Sequence, residues 1–281
     1  MKTSTLLIIA AAAILPFAAA TAAPLKSAIV TTVVKDVKIS ESRSAARPIG
    51  TGTKMTGSST LLTGAGSLAA MTFPDKTVTR VGANSVFRFS SGSREMEIVQ
   101  GSFLLQVPKN AGGAKIRTAT VTAAITGTTT MMEYSPGHWL KFICFEGEVN
   151  LRNQSGDTIN VLPGQMIIMH PDARKFPQPV IVKIEKLMKT SRLMDEEVFG
   201  PVDDRALDLI GQTVADQMDR RSGGGLLPSG VLVSGPVGAI ENGGDPQSNP
   251  RTLLQPMREL RPHSGLDGHG LDGQGNPVPR N

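Results

Sequence analysis

Four carboxylates come in two pairs at strand spacing, Glu95 with Glu97 and Glu146 with Glu148. Residues i and i+2 of a β-strand share a face. Such a pair could serve glycoside hydrolysis, which needs two carboxyl groups roughly 5 to 9 Å apart with their pKa values driven apart. Glutamates at solvent-facing strand ends give the same pattern, and that is the reading adopted. The chain has no G-x-S-x-G elbow, and Gly50-Thr51-Gly52-Thr53-Lys54 lacks the spacing of a phosphate-binding loop. No catalytic residue is assigned, and the expected class is non-enzymatic.

Metal chemistry fails on supply. His138, His170, His263 and His269 are isolated, and no H-x-H or H-E-x-x-H sets two imidazoles on one face. Gly156–His170 superficially resembles the second motif of cupins, but the first motif, which supplies most of the metal ligands, is absent. No metal and no cofactor are expected. The single cysteine, Cys144, excludes an intramolecular disulfide; lying between Phe142-Ile143 and Phe145, it reads as a buried core thiol.

The best candidate for binding is aromatic. Tyr134 and Trp139, the only tyrosine and the only tryptophan, flank Ser135–His138. A hairpin through those four residues would set the two rings opposite each other with His138 beside them. An exposed pair could stack on a sugar ring or anchor a protein partner; a buried pair would be packing. Both readings stay open.

These residues must be positioned by strands. From Pro48 to Asn153 the chain is punctuated by turn signals at short intervals, among them Gly64–Gly66, Pro74-Asp75, Gly82–Asn84, Asn110–Gly113 and Pro136-Gly137. No helical period lies between them, which predicts an all-β, antiparallel architecture. Thr118, Thr120, Thr122 and Thr126 alternate with Ala119, Val121, Ala123 and Ile125, which predicts a strand with one dry face. Met96 and Ile98 have one parity and Phe103, Leu105 and Val107 the other, so the inward face changes across Gly101, by a bulge or a sharp corner. Leu140–Phe145 is apolar on both parities, as for a strand buried on both faces.

Outside this region the material changes. Leu25–Ile39 is rich in β-branched residues and predicts one or two strands, followed by a polar bridge. From Lys183 a helical stripe runs through Ile184, Leu187, Met188, Met194 and Val198; a second runs through Leu207, Ile210, Val214 and Met218, with Asp203 or Asp204 as its cap. The two helices are expected to dock on the sheet or to pair with another subunit. The segment 222–281 is rich in Gly and Pro and has no aromatic residue, which predicts a disordered tail. Its duplication Gly265–His269 and Gly270–Gln274 has the wrong period for a calcium-binding roll. At the other end, Lys2, the apolar run Leu6–Ala20 and the small residues Ala20-Thr21-Ala22 form a secretory signal peptide with cleavage after Ala22. No later run is long enough to span a membrane, so the processed chain is expected to be periplasmic or secreted. The net charge of +5 is spread rather than clustered, which argues against a nucleic-acid partner.

The order of motifs resembles the FecR domain, the periplasmic module of transmembrane anti-sigma regulators of bacterial iron transport. The resemblance is carried by Gly52–Met55, Leu68–Gly82, Val99–Val107, Ile116–Thr129, Phe145–Val149 and Pro163–Met166, and spans about Arg47 to Met169. It implies an all-β domain, solenoid-like or sandwich-like, non-enzymatic and working through protein contacts in the envelope. There are departures: Lys76 stands where the family usually has the glycine of a D-G turn, and Ala119 where proline often follows Thr118. A signal peptide also replaces the family's sigma-binding segment and membrane span, so the chain is not expected to reach a cytoplasmic sigma factor by itself.

The organisation expected is a signal peptide at 1–22, an N-terminal strand and bridge at 23–46, a FecR-like β domain at 47–182, two helices at 183–221 and the tail at 222–281. The function expected is an exported module for protein–protein interaction, scaffolding or signalling in the envelope; the alternative is a cell-wall or exopolysaccharide-binding protein.

Overall fold

The computed structural model describes residues 23–41, 44–57, 59–222, 232–233 and 239–240. The expected signal peptide, its cleavage site at Ala22 and almost all of the expected tail lie outside the described residues. Within the latter only Leu232–Val233 and Ala239–Ile240 are described beyond the last helix, and they pair antiparallel.

The chain opens with β1 (Ser27–Val34), β2 (Val37–Glu41), β3 (Arg47–Pro48), β4 (Lys54–Thr56) and β5 (Ser59–Thr63). It continues through β6 (Leu68–Thr72), β7 (Val78–Val81), β8 (Val86–Phe89) and the long β9 (Glu95–Gln106). Next come β10 (Ala114–Arg117), β11 (Val121–Ile125), β12 (Thr129–Ser135) and β13 (Trp139–Glu146). The last strands are β14 (Val149–Asn153), β15 (Thr158–Val161), β16 (Gln165–Met169) and β17 (Val180–Ile181). The helices α1 (Ile184–Thr190), α2 (Glu196–Phe199) and α3 (Asp204–Ser222) follow.

These strands form one hydrogen-bonded network folded into two layers. One layer has the order β4-β1-β6-β7-β9-β12-β13-β16-β17, the other β3-β2-β5-β8-β9-β10-β11-β14-β15. Every pairing is antiparallel except β9 with β10, which is parallel. The architecture is thus the sandwich-like, mainly β fold read from the sequence, followed by short helices. Strand β9 belongs to both layers and turns between them at Gly101, whose φ is +108°. A Cβ there would lie 2.0 Å from Ser85 Oγ and 2.5 Å from Ser85 Cα, so only glycine fits. A bulge precedes the turn: Val86 faces Gln100 while Phe87 faces Ile98, leaving Val99 as the extra residue.

The core lies between the layers and takes alternate residues from each, with Phe87 against Phe103 at 5.8 Å and Phe73 edge-on to Phe89 at 5.1 Å. β1 and β2 contribute Ala28, Val30, Val37 and Ile39, all buried, so the segment expected as a separate N-terminal piece is woven into both sheets. A second core forms where the helices lie on the outer face of the first layer, packing Ile184, Leu187, Leu193, Met194, Val202, Ala206 and Ile210 on Leu104, Met131, Ile143, Phe145 and Met166. Apart from Lys141, residues 140–145 are buried on both faces, with Leu140, Phe142 and Cys144 in one core and Ile143 and Phe145 in the other.

Two expectations are corrected. The alternation through Thr118–Ile125 is not one strand but the end of a hairpin between β10 and β11. The Thr118 hydroxyl oxygen accepts from the backbone N–H of Thr120 and Val121, at 3.3 and 3.0 Å, which closes the turn and leaves Ala119 exposed. The first helix is also broken. α1, a 3-10 turn at Arg192–Met194 and α2 are three short pieces, because Ser191 and Asp195 each take extended backbone and turn their side chains onto the following N–H groups.

Candidate functional site

The aromatic face expected at the β12–β13 hairpin does not form. Ser135, not Tyr134, faces Trp139, and Tyr134 faces Leu140, so the loop is Pro136-Gly137-His138 and the two aromatic side chains point to opposite sides of the sheet. Tyr134 is buried in the interlayer core, where burial first and the Asp172 charge second push its phenol above the ordinary value. Trp139 is half-buried on the outer face, its indole N–H donating to Glu133 Oε1 at 3.3 Å. Glu133 in turn pairs with Lys141 at 2.8 Å. His138 is exposed in the loop with its ring 6.0 Å from that of Trp139.

The two carboxylate pairs differ. Glu95 and Glu97 share the solvent face of β9 and are taken up by Arg117 at 3.0 Å and Arg88 at 3.3 Å across the sheet. Glu146 and Glu148 do not share a face. Thr129 pairs with Glu146 but Thr130 with Cys144, so Phe145 is an extra residue in β13. This bulge turns Glu146 to the outer side of the helix-covered layer, the side that Phe145 also occupies. Gly147, with φ +83°, then reverses the chain, and Glu148 faces water where Asn160 reaches it.

Glu146 is 5% exposed. Its Oε1 accepts from the Thr129 hydroxyl at 3.1 Å, while Oε2 has no partner among the described residues. Burial pushes its pKa up; hydrogen bonds from Thr129 and the charges of Lys109 and Arg205 oppose the shift without cancelling it. The neighbouring Cys144 thiol is pushed up to about 12, by burial first and then by Glu146 and Glu148. It is inert at neutral pH.

Glu146 lines a cleft of about 890 Å³ that the sequence did not disclose. The floor is the outer face of the helix-covered layer, including Ala70, Thr72, Val78 and Gln106. The 3-10 turn Lys109–Ala111 forms one wall, Phe199, Pro201 and the first turns of α3 form the other, and the β6–β7 turn with Asp75 and Lys76 closes one end. The Lys109 wall depends on Gly127: with φ +60°, a Cβ there would lie 2.9 Å from Lys109 Cα.

Arg80, 3% exposed, fixes the opposite wall. Its guanidinium donates to the carbonyls of Leu193, Gly200 and Pro201 at 3.0, 3.0 and 3.2 Å and stacks 5.2 Å from the Phe199 ring. Burial lowers its pKa, and Glu196 opposes this. The only sequence signal was a charge in the middle of the apolar strand Val78–Val81. Its carbonyl partners lie more than a hundred residues away. Among the described residues no three His, Cys, Asp or Glu side chains come together as a metal site, and no helix is long and apolar enough to cross a membrane.

Residues 59–150 match the family model described as FecR protein. Two crystal structures of a "putative anti-sigma factor" from Parabacteroides distasonis are similar to this chain, at 20% and 18% identity with TM-scores of 0.40 and 0.41. Each similarity covers 46% of this chain, and the chain spans 64% and 63% of the length of those two proteins. No curated protein matches the chain.

Proposed function

With a FecR domain at residues 59–150 as the premise, we propose that this chain is an exported, non-enzymatic module that works by protein–protein contact, in scaffolding or signalling, in the bacterial envelope. The single observation that carries this reading is the family match itself, which runs from β5 to the start of β14 and so through the centre of both layers. A FecR domain supports a regulatory or signalling role. The site chemistry agrees with it: the paired carboxylates are separated or ion-paired, and the thiol is sealed and protonated.

The test is cross-linking of the tagged full chain in intact cells, followed by solubilisation of the envelope and mass spectrometry. One envelope protein recovered reproducibly is the expected result. Recovery only on washed cell-wall material, competed by soluble glycan, overturns the reading in favour of wall or exopolysaccharide binding. The geometry offers that alternative little support, because Tyr134 is buried and Trp139 stands without its expected partner.

A further inference from the structure

The cleft beside Glu146 has three features that together specify an occupant. First, Glu146 Oε2 is a buried acceptor without a donor among the described residues, which is destabilising unless something meets it. Second, three exposed cations, Lys76, Lys109 and Arg205, surround the same space, and none forms an ion pair within 4 Å among the described residues. Of the acidic residues nearby, Asp75 is already held by Arg94 and Thr77, which leaves Asp203 as the one acid on the rim. Third, Lys76 has φ +66°, a left-handed conformation that strains a non-glycine residue. This turn puts the Lys76 side chain on the rim of the cleft.

The occupant must therefore offer a hydrogen-bond donor at the floor and anionic groups at the rim, against apolar surface from Val78 on the floor and Phe199 and Leu209 on the wall. A single inorganic anion would leave most of a cleft of about 890 Å³ unfilled. Sugars usually need an exposed aromatic platform, and neither Trp139 nor Tyr134 lines this cleft, while the Phe199 ring is occupied by Arg80. We propose that this cleft binds an extended acidic peptide segment of a partner protein, with a main-chain N–H donated to Glu146 and carboxylates held by Lys76, Lys109 and Arg205. This rests on the protein-contact reading above and gives that contact a place.

The experiment uses the purified full chain and a fluorescent, acetylated hexapeptide alternating Glu and Val, with a Lys/Val hexapeptide and an oligogalacturonate as comparators. The Glu/Val peptide is expected to bind, with affinity falling as salt rises. Lys109→Ala and Arg205→Ala should each weaken it roughly tenfold, the scale of one charge-assisted hydrogen bond. Lys76→Gly should weaken binding while raising the thermal midpoint, a combination that a merely structural lysine would not give. Absence of Glu/Val binding, equal binding of the Lys/Val peptide, binding of oligogalacturonate alone, or indifference to the Lys109 and Arg205 substitutions each overturns the proposal. If the cleft fails in this way while cross-linking still yields an envelope protein, the partner docks elsewhere and the protein-contact reading stands; if cross-linking yields none, that reading fails independently.

Discussion

Glu146 is where a single residue does most to set the character of the molecule. Burial raises its pKa above the ordinary glutamate value of about 4.3, so across the interval between the two values the folded chain holds a proton that the unfolded chain has lost. Its contribution to stability is complete below the unfolded value and is lost as pH rises through the folded one. Glu146→Gln keeps the shape and the Thr129 contact without the charge. The variant should match the wild type in thermal midpoint near pH 4 and exceed it at pH 7 and above. Equal midpoints at both pH values would show that Glu146 ionises without penalty. The sequence displayed Glu146 and Glu148 as a matched pair because spacing assumes an unbroken strand, and the bulge at Phe145 breaks that assumption without any glycine or proline to announce it. The Tyr134 and Trp139 expectation failed for a related reason. Which residue closes a hairpin depends on the loop length, and a three-residue loop instead of a four-residue one sends one ring inward and the other out.

At the scale of elements, the turn signals and the parity change at Gly101 were legible because they rest on backbone geometry that few residues tolerate. Gly101→Ala places a methyl group into Ser85 at a φ of +108°, and should lower stability by more than about 2 kcal/mol, read as a fall in the urea midpoint at constant slope. Ser85→Gly should recover part of the loss, since it removes the side-chain share of the clash. The helical layer was legible as two amphipathic stripes, but the face that it covers was not. That depends on Arg80, one strand residue donating to three carbonyls on the far side of the second core. Truncating it leaves the buried Leu193 carbonyl and the partly buried carbonyls of Gly200 and Pro201 without that donor. Arg80→Ala is expected to cost about 3 kcal/mol. Its specific signature should be faster amide exchange at 193–210 than in β12 and β13, which would show the helical layer loosening while the sandwich persists. Uniform acceleration throughout would mean instead that the helices and the sandwich unfold as one.

The whole molecule is organised by two sheets that share one interior and one bent strand, so its limits are set by which strands those sheets need. Residues 47–182 suggested themselves as the domain because the motifs of the FecR resemblance begin near Arg47. The structure adds β1 and β2 ahead of them. β1 lies between β4 and β6, with Met71 facing Val30, and β2 lies between β3 and β5, with Leu61 facing Ile39. Removing residues 23–46 would uncover Met55, Leu61 and Met71, each fully buried, and strip the hydrogen-bonding partners from β6 and β5, leaving two hydrophobic edges open to pairing with other chains. A chain of residues 47–222 should therefore aggregate or melt without a cooperative transition. Residues 23–222 should unfold in one sharp step by circular dichroism, because the core residues of both layers interlock across the whole length. A cooperative transition in the shorter chain would mean that the FecR motifs carry a self-sufficient fold and that β1 and β2 are accessories laid on its edge, a result that would move the boundary of the folding unit back to where the sequence motifs begin.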